Sequence, residues 1–237
     1  MFFYVTIIKF FKLLGVNMQN QEVWHNNHAQ KRHQIKYPHH TVIPFVFKNY
    51  KKKDRILDLG CGAGRHVKFL AENGFKAYGM DYSKNGVKFT KKLLKKHFLK
   101  AKIKLSSVDN IPFKDDFFDG LICIGVLDYN NEEIIQKAAN EIYRVLKKGA
   151  KALIISRNIQ DYRYEKAEKL SKNYTIIRES NPSLSAYAEN GMNAHFFDEE
   201  EARLIFKNFE KIEINVLRTS YQNNTFCDES FIIILQK

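Results

Sequence analysis

Short apolar runs alternate with amphipathic stretches along the middle of the chain. Runs of strand length lie at 55–59, 76–80, 102–107, 120–124 and 150–156. Between them, apolar residues recur every three or four positions, which predicts helices at about 64–73, 84–98 and 131–146. The run at 120–124 is almost continuously apolar, as expected of a central parallel strand that is covered on both faces. The pattern therefore predicts strands and helices in alternation.

The alternation changes near the C-terminus. A helix capped by Asp198 is followed there by two long strands, at 210–217 and 226–235, which are close enough to pair antiparallel. The strands before them alternate with helices at the spacing of right-handed βαβ crossovers. We therefore predict an α/β fold with a doubly wound, mostly parallel, seven-stranded sheet that ends in an antiparallel edge hairpin.

Two segments do not fit this alternation. Residues 20–50 are polar, rich in histidine and broken by two prolines, which predicts two short helices. Residues 157–197 are too long for an ordinary connection, which indicates a functional role. Because 44% of the 237 residues are hydrophobic, the chain can bury one substantial core. We predict an N-terminal extension over 1–50 and one domain over 51–237, with a substrate-side insertion at about 157–197.

Cysteine spacing and net charge bear on location and partners. The three cysteines have neither disulfide nor zinc spacing, so a cytoplasmic location is expected. The formal net charge of +13 invites a nucleic-acid hypothesis, yet the lysines are spread along the chain as on solvated helix and loop faces. Since the sequence shows no basic aromatic platform and no appended RNA-binding module, nucleic acid is not the expected partner. The charge can still attract a small anionic substrate.

The first residues raise the question of a membrane anchor. Lys9 and Lys12 interrupt the apolar run 1–16, which is shorter than the roughly 20 apolar residues of a membrane span. A secretory signal would carry its positive charge before the apolar core. We therefore expect no stable membrane insertion. Two alternatives stay open, namely translation that starts at Met18 instead of Met1, and a helix that lies on a membrane surface.

A glycine-rich loop, Asp58-Leu59-Gly60-Cys61-Gly62-Ala63-Gly64, begins at the end of the first predicted strand. Alternate glycines let the backbone adopt positive φ and approach a ligand closely, and the next helix points its free N–H groups toward the loop. The third glycine comes one position earlier than in the dinucleotide fingerprint, and no Gly-Lys-Ser/Thr follows. Asp81 ends the second strand, where a carboxylate can accept both ribose hydroxyls. These features predict a nucleoside ligand without phosphate.

With these residues the chain resembles the class I S-adenosylmethionine-dependent methyltransferases, particularly the small-molecule, methyltransferase type 11-like branch with the pattern L-D-L-G-C-G-x-G-R. The resemblance is close over about 53–149 and weaker toward the C-terminus. It rests on ordered motifs, namely the glycine loop, Asp81-Tyr82-Ser83, 107–113, 117–124 and 141–150. It implies a Rossmann-like methyltransferase fold with S-adenosylmethionine as the cofactor.

The resemblance also implies which residues bind the cofactor. Asp81 would hold the ribose hydroxyls, and Gly60 with Gly62 would admit the methionine portion. Asp109 would lie near the adenine amino group, although a local capping role is an alternative for this residue. The whole implied set is Asp58, Gly60, Cys61, Gly62, Gly64, Asp81, Tyr82, Asp109, Asn110, Ile111, Ile124 and Gly125.

Methyl transfer from a sulfonium needs mainly alignment and the exclusion of water, so a base is optional. If the acceptor is a hydroxyl or a protonated amine, a nearby histidine or carboxylate is the natural proton acceptor. The main candidates are His195, just before the last helix, and Asp128, in the loop after the fourth strand. A packed or capping role is the alternative for His195. His66 and, from the extension, His25 or His28 are further candidates.

The segments outside the shared motifs are expected to bind the substrate. An aromatic and basic rim is predicted from Trp24, His28, Tyr37 and Arg157. The histidines of the extension lack the carboxylate or cysteine spacing of a metal site, so no metal is expected.

Two missing motifs narrow the class of acceptor. The loop after the fourth strand lacks the Asn/Asp-Pro-Pro-aromatic turn of enzymes that methylate base amino groups, and no catalytic Pro-Cys pair is present. The leading hypothesis is methyl transfer to an oxygen or nitrogen of a small metabolite, for which the positive charge suggests an anionic compound such as a phosphorylated metabolite or a sugar nucleotide. An RNA or protein methyltransferase and a non-catalytic cofactor-binding subunit stay open as alternatives. The sequence specifies neither the acceptor nor the oligomeric state.

Overall fold

Ten strands and seven helices are found in the computed structural model, which describes residues 18–29 and 34–237. The strands are β1 (Arg55–Leu59), β2 (Lys76–Asp81), β3 (Ala101–Leu105), β4 (Phe118–Ile124), β5 (Leu146–Arg157), β6 (Glu168–Lys169), β7 (Tyr174–Ile176), β8 (Asn193–His195), β9 (Lys211–Tyr221) and β10 (Phe226–Gln236). The α-helices are α1 (Met18–Ala29), α2 (Val42–Asn49), α3 (Arg65–Glu72), α4 (Lys84–Lys96), α5 (Glu132–Val145), α6 (Tyr162–Lys166) and α7 (Glu199–Ile205). The apolar run 1–16 lies outside the described residues.

Seven of the strands form the main sheet in the order β3-β2-β1-β4-β5-β10-β9. The first five strands pair in parallel, whereas β10 is antiparallel to both β5 and β9. This arrangement confirms the predicted doubly wound sheet with its antiparallel hairpin. The order reverses beside β1, so that the carboxyl ends of β1 and β4 flank a crevice, the usual ligand site of such sheets.

Side chains from β1 alternate between two apolar layers. Leu57 joins a cluster that includes Ile135 of α5 and Phe206 after α7, on one face of the sheet. Ile56 joins the cluster on the opposite face, with Val46 of α2 among its members. Because successive residues of a strand point to opposite faces, an uninterrupted apolar run is what a strand covered on both faces requires.

Polar side chains fix the starts of the helices that lead away from the crevice. Ser83 accepts a hydrogen bond from the backbone N–H of Gly86 at the start of α4. Asp198 accepts one from Glu201, which confirms the predicted cap. The extension forms two short helices in its described part, as predicted. In the described part of the chain, no helix has both the length and the apolar character of a membrane span.

Tyr50, the last residue of the extension, packs against the main sheet. The Tyr50 hydroxyl donates a hydrogen bond to the carbonyl oxygen of Lys151 at 2.9 Å. A Cβ atom on Gly120 would lie 2.2 Å from this ring, so the aromatic side chain occupies the space that the glycine leaves. Residue 50 is thereby packed directly against β4 and hydrogen-bonded to β5.

The insertion has secondary structure that the sequence analysis did not predict. It contains α6 and a second sheet of three short antiparallel strands in the order β6-β7-β8. The strands β6 to β8 are two or three residues long, which is too short for a periodic pattern of side chains to reveal. The insertion therefore forms a small folded layer beside the carboxyl ends of the main sheet, where Asn158 bridges to Phe197.

Candidate active site

A cavity of about 370 Å³ opens at the carboxyl ends of β1, β2 and β4. Its walls come from the glycine loop, the segment 106–108 after β3, the segment 124–130 after β4, and the extension. Eleven of the residues predicted for the site lie in its lining: Gly60, Cys61, Gly62, His66, Asp81, Tyr82, Ile124, Gly125, Asp128, Trp24 and Arg157. The fold thus brings together side chains that lie far apart in the sequence.

The glycine loop leaves almost no room for side chains. Gly60, Gly62 and Gly64 have φ of 74°, 49° and 90°, in the left-handed region that favours glycine. A Cβ atom on Gly60 would lie 2.3 Å from Cγ2 of Val126. Gly64 is not in the lining, since it precedes α3 and packs against Thr90 instead. The backbone of 60–62 therefore faces the cavity directly.

Asp81 is a buried carboxylate in the cavity wall. Its Oδ2 accepts a hydrogen bond from the Gly62 backbone at 2.8 Å, and its Oδ1 accepts one from Ser83 at 2.7 Å. Burial raises the pKa of Asp81 to about 6, against the lowering effect of these two hydrogen bonds. Each oxygen has a second lone pair, so the carboxylate can also accept a diol.

Asp58 supplies a second buried carboxylate at the start of the loop. It is 1% exposed, and its Oδ2 has no hydrogen-bond partner among the described residues. Its Oδ1 lies 3.5 Å from Nδ1 of His66. A buried carboxylate oxygen without a donor is costly, and an amino group of a bound ligand would satisfy it. Asp58 itself is not part of the cavity lining.

The segment after β3 contributes to the cavity, but not through the three residues that the motif indicates. Ser106, Ser107 and Val108 line the cavity, whereas Asp109, Asn110 and Ile111 do not. Ile111 is 1% exposed and belongs to the core, with its N–H donated to Glu141. The turn at 108–109 directs the chain away from the cavity one residue earlier than the motif indicates.

Asp128 lies in the cavity wall and is 2% exposed. Its Oδ1 accepts a hydrogen bond from the backbone N–H of Arg157 at 3.0 Å. Burial raises its pKa, and the charge of Arg157 works in the opposite direction. A carboxylate with a raised pKa in a cavity wall is suited to accept a proton.

Arg157 also lines the cavity, but its charge is already paired. Its guanidinium donates two hydrogen bonds to the carboxylate of Glu189, at 2.6 and 2.9 Å. A third goes to the hydroxyl oxygen of Tyr129 at 3.2 Å. The sequence gives no sign of this pairing, because Glu189 lies 32 residues away in the insertion.

The extension covers the cavity from above through α1. Asn20, which is 3% exposed, donates to the carbonyl oxygens of Tyr129 and Asn193, and it accepts a hydrogen bond from the Asn193 backbone. The ring of Trp24 packs edge-on against Tyr129, with 4.9 Å between centroids. Tyr37 is 79% exposed and outside the lining, and the side chain of His28 lies outside the described part of the chain.

His195 does not reach the cavity. It is 1% exposed on β8, where its Nε2 lies 2.9 Å from a carboxylate oxygen of Glu201 and its ring packs against Phe197. Its position corresponds to the packed alternative rather than to a base beside the cofactor.

Arg65, His66 and His39 form one corner of the cavity lining. His66 was predicted as a candidate base, whereas sequence reasoning missed Arg65 and His39. His39 donates its backbone N–H to Nε2 of His66 at 3.1 Å. Burial lowers the pKa of His39 to about 4, with the charges of His40, Arg65 and His66 acting in the same direction. The available signal for Arg65 was its place directly after the glycine loop, as the first residue of α3.

Known proteins share this architecture. A crystal structure of a SAM-dependent methyltransferase from Methanosarcina mazei superposes with a TM-score of 0.67 at 23% identity, covering 82% of this chain and 97% of that one. The YcgJ protein of Bacillus subtilis superposes with a TM-score of 0.61 at 15% identity, covering 84% of this chain and 99% of that one. At these identities the likeness shows the fold alone.

Sequence relatives extend the comparison. An uncharacterized protein of Methanocaldococcus jannaschii is 33% identical over 113 residues, which are 48% of this chain and 46% of that protein. A protein of Nostoc punctiforme named 2-phytyl-1,4-naphtoquinone methyltransferase is 30% identical over 152 residues, which are 61% of this chain and 56% of that protein. The chain thus spans about half the length of these curated relatives.

The methyltransferase domain family matches residues 50–222, which include the glycine loop, Asp81, Asp128 and the insertion. Membership of this family implies S-adenosylmethionine as the methyl donor. The match covers most of the chain and agrees with the strand order and with the position of the cavity. This chain belongs to the methyltransferase domain family and has the class I fold of S-adenosylmethionine-dependent methyltransferases.

Proposed function

We propose that the protein transfers a methyl group from S-adenosylmethionine to an oxygen or nitrogen of a small metabolite. The observation that carries the proposal is the cavity itself, in which Asp81 and the bare backbone of 60–62 face a space covered by α1. Asp81 would hold the ribose hydroxyls, and Gly60 and Gly62 would admit the methionine portion. Ser106, Ser107 and Val108 would border the adenine.

The donor, when bound, supplies a methyl group on a positively charged sulfur that is already activated for displacement. The protein's remaining tasks are to align the acceptor and to exclude water. Trp24 and Tyr129 form an aromatic wall that limits access from the side of α1. Because this wall and the Arg157–Glu189 pair enclose the far side of the cavity, a small acceptor fits better than a polymer.

Asp128 is the residue that we propose as proton acceptor. The Asp128 carboxylate would accept the proton that the acceptor oxygen or nitrogen loses on methylation. The backbone N–H of Arg157 holds this carboxylate in place. We also propose that the acceptor is a small anionic compound, such as a phosphorylated metabolite or a sugar nucleotide.

Calorimetry with S-adenosylmethionine and S-adenosylhomocysteine tests the donor. We expect binding by the wild type, loss of at least tenfold in affinity for Asp81→Ala through removal of charge-assisted hydrogen bonds, and no change for Glu133→Ala, an exposed carboxylate on α5. Absence of binding by the wild type, or equal affinities for wild type and Asp81→Ala, would overturn the proposal.

The same titration should depend on pH because the pKa of Asp81 is raised to about 6. Hydroxyl donors favour the ionised carboxylate, so affinity should be full above pH 7 and about tenfold weaker at pH 5, where most Asp81 is protonated. Asp81→Asn should lose this dependence.

The class of acceptor can be tested with methyl-labelled S-adenosylmethionine and a cell extract separated into metabolites, RNA and protein. Label should enter the metabolite fraction, and Asp128→Asn should reduce the yield while leaving the affinity for S-adenosylhomocysteine unchanged. Label confined to RNA or protein would contradict a small acceptor.

A further inference from the structure

Two arginines line the cavity in the described part of the chain, and they differ in whether a carboxylate pairs with the guanidinium. Arg157 donates to both oxygens of Glu189, so a ligand anion would have to compete with an existing ion pair. Arg65, the first residue of α3, has no carboxylate within 4.0 Å among the described residues. Of the residues that the structure describes, Arg65 alone therefore offers the cavity an unpaired permanent cation.

The surroundings of Arg65 do not compensate its charge. Burial lowers its pKa, and the charge of Asp58 opposes this only at longer range. Two more carboxylates line the cavity, but Asp81 accepts from the Gly62 and Ser83 backbone and Asp128 accepts from Arg157. A half-buried cation without a close partner carries a desolvation cost that a bound anion would relieve.

His39, which lies beside Arg65, is a neutral donor rather than a further cation. The pKa of His39 is lowered to about 4, so this ring is uncharged at neutral pH. His39 accepts the Thr41 N–H at Nδ1, which leaves its neutral ring with the proton on Nε2. The positive end of the α3 dipole adds to the field of Arg65 from the same side. The corner thus combines the Arg65 cation with a neutral donor.

We infer that Arg65 binds an anionic group, a carboxylate or a phosphate, of a molecule held in the cavity. This inference rests on the proposed function and assigns anion recognition to Arg65 instead of Arg157. The group has two possible sources, namely the carboxylate of the methyl donor's methionine portion and an anionic acceptor. Both sources present oxygen pairs or triads that match the fork of a guanidinium.

Calorimetry on Arg65→Gln and Arg65→Lys separates the sources. Lys68→Gln is the matched control, because it removes one charge from the same helix at a residue paired with Glu72 outside the cavity. Each protein is titrated with S-adenosylhomocysteine, with its decarboxylated analogue, and, in the presence of S-adenosylhomocysteine, with inorganic phosphate.

If the donor carboxylate is the partner, the wild type should bind S-adenosylhomocysteine roughly tenfold to a hundredfold more tightly than the decarboxylated analogue, and Arg65→Gln should remove this difference. If the acceptor is the partner, Arg65→Gln should keep that difference and lose phosphate binding at least tenfold. Arg65→Lys should retain part of the affinity difference or part of the phosphate binding. Partial retention would show that the losses in Arg65→Gln do not come from misfolding.

An Arg65→Gln protein that matches the wild type in all titrations would overturn the inference while the proposed function stands. A wild-type protein that binds no S-adenosylhomocysteine would instead defeat the proposed function. Equal losses for Arg65→Gln and Lys68→Gln would show a general charge effect and would also overturn the inference.

Discussion

At the scale of single residues, Gly60 combines two constraints that can be separated by experiment. Its φ of 74° strains any other residue, and a Cβ atom there would lie 2.3 Å from Cγ2 of Val126. Gly149 has a similar φ of 77°, but no atom lies within 4 Å of the Cβ position. The pair therefore distinguishes backbone strain from steric conflict beside the cavity.

Gly60→Ala should lower the free energy of unfolding by about 2–4 kcal/mol, since the cost of positive φ and that of overpacking add. Gly149→Ala should lower it by only about 1 kcal/mol. Urea denaturation measures both, and calorimetry should show that only Gly60→Ala also loses S-adenosylhomocysteine binding. Equal destabilisation by the two substitutions would show that the contact with Val126 relaxes freely.

Some site residues were predictable because local rules determine them. The glycine loop and Asp81 follow from strand ends and turn chemistry, and both lie in the cavity wall. Asp109 and Ile111 were placed there from the motif, yet a single turn at 108–109 directs them elsewhere. The pairing of Arg157 with Glu189 depends on how the insertion folds back, which no local pattern encodes.

At the scale of elements, α1 is held over the cavity mainly by polar contacts. Asn20 forms three hydrogen bonds with Tyr129 and Asn193, and Asn85 of α4 donates to the carbonyl oxygen of His25. Such bonds contribute only about 1 kcal/mol each, so α1 is less firmly fixed than the helices with apolar faces on the sheet. This element is therefore suited to open for ligand exchange.

Asn20→Ala should weaken S-adenosylhomocysteine binding on the order of tenfold, mainly through faster dissociation, because α1 loses its attachment to the cavity wall. Stopped-flow displacement measures the rate. Glu22 is exposed on the same helix, so Glu22→Ala should leave the dissociation rate unchanged. An unaltered dissociation rate for Asn20→Ala would mean that α1 does not cover the bound ligand.

The main-sheet strands and their helices were predictable to within a few residues, since each is long enough to show its period. The strands of the insertion could not be predicted, because each has only two or three residues and shows no apolar pattern. They are held by pairing with one another across the segment. His195 illustrates the consequence, since its burial on β8 follows from this unpredicted sheet.

At the scale of the whole molecule, a buried guanidinium joins the insertion to the main sheet. Arg163 of α6 donates to both oxygens of Asp161, to Asp228 of β10 at 2.8 Å, and to Ser185 of the insertion at 2.6 Å. The residue is 5% exposed. Its contacts connect three segments that are more than 20 residues apart in sequence.

Arg163→Met should lower the free energy of unfolding by about 3–5 kcal/mol, because it leaves the buried carboxylate of Asp161 without its cation. Arg178→Met removes an exposed pair with Glu168 in the same insertion and should cost no more than about 1 kcal/mol. Thermal unfolding of the two variants beside the wild type gives the comparison. Similar losses would indicate that the Arg163 cluster contributes no more than a surface ion pair.

Because the Tyr50 ring packs directly against Gly120, the residues allowed at positions 50 and 120 depend on each other. Any side chain at position 120 would overlap the tyrosine ring, and a small residue at position 50 would leave a hole over β4 and remove the hydrogen bond to Lys151. The two positions are 70 residues apart, yet a change at one is tolerated only with a compensating change at the other. Homologues that have a larger residue at position 120 should therefore have a smaller one at position 50, and a chimera that exchanges the extension alone should fold poorly unless this pair is exchanged together.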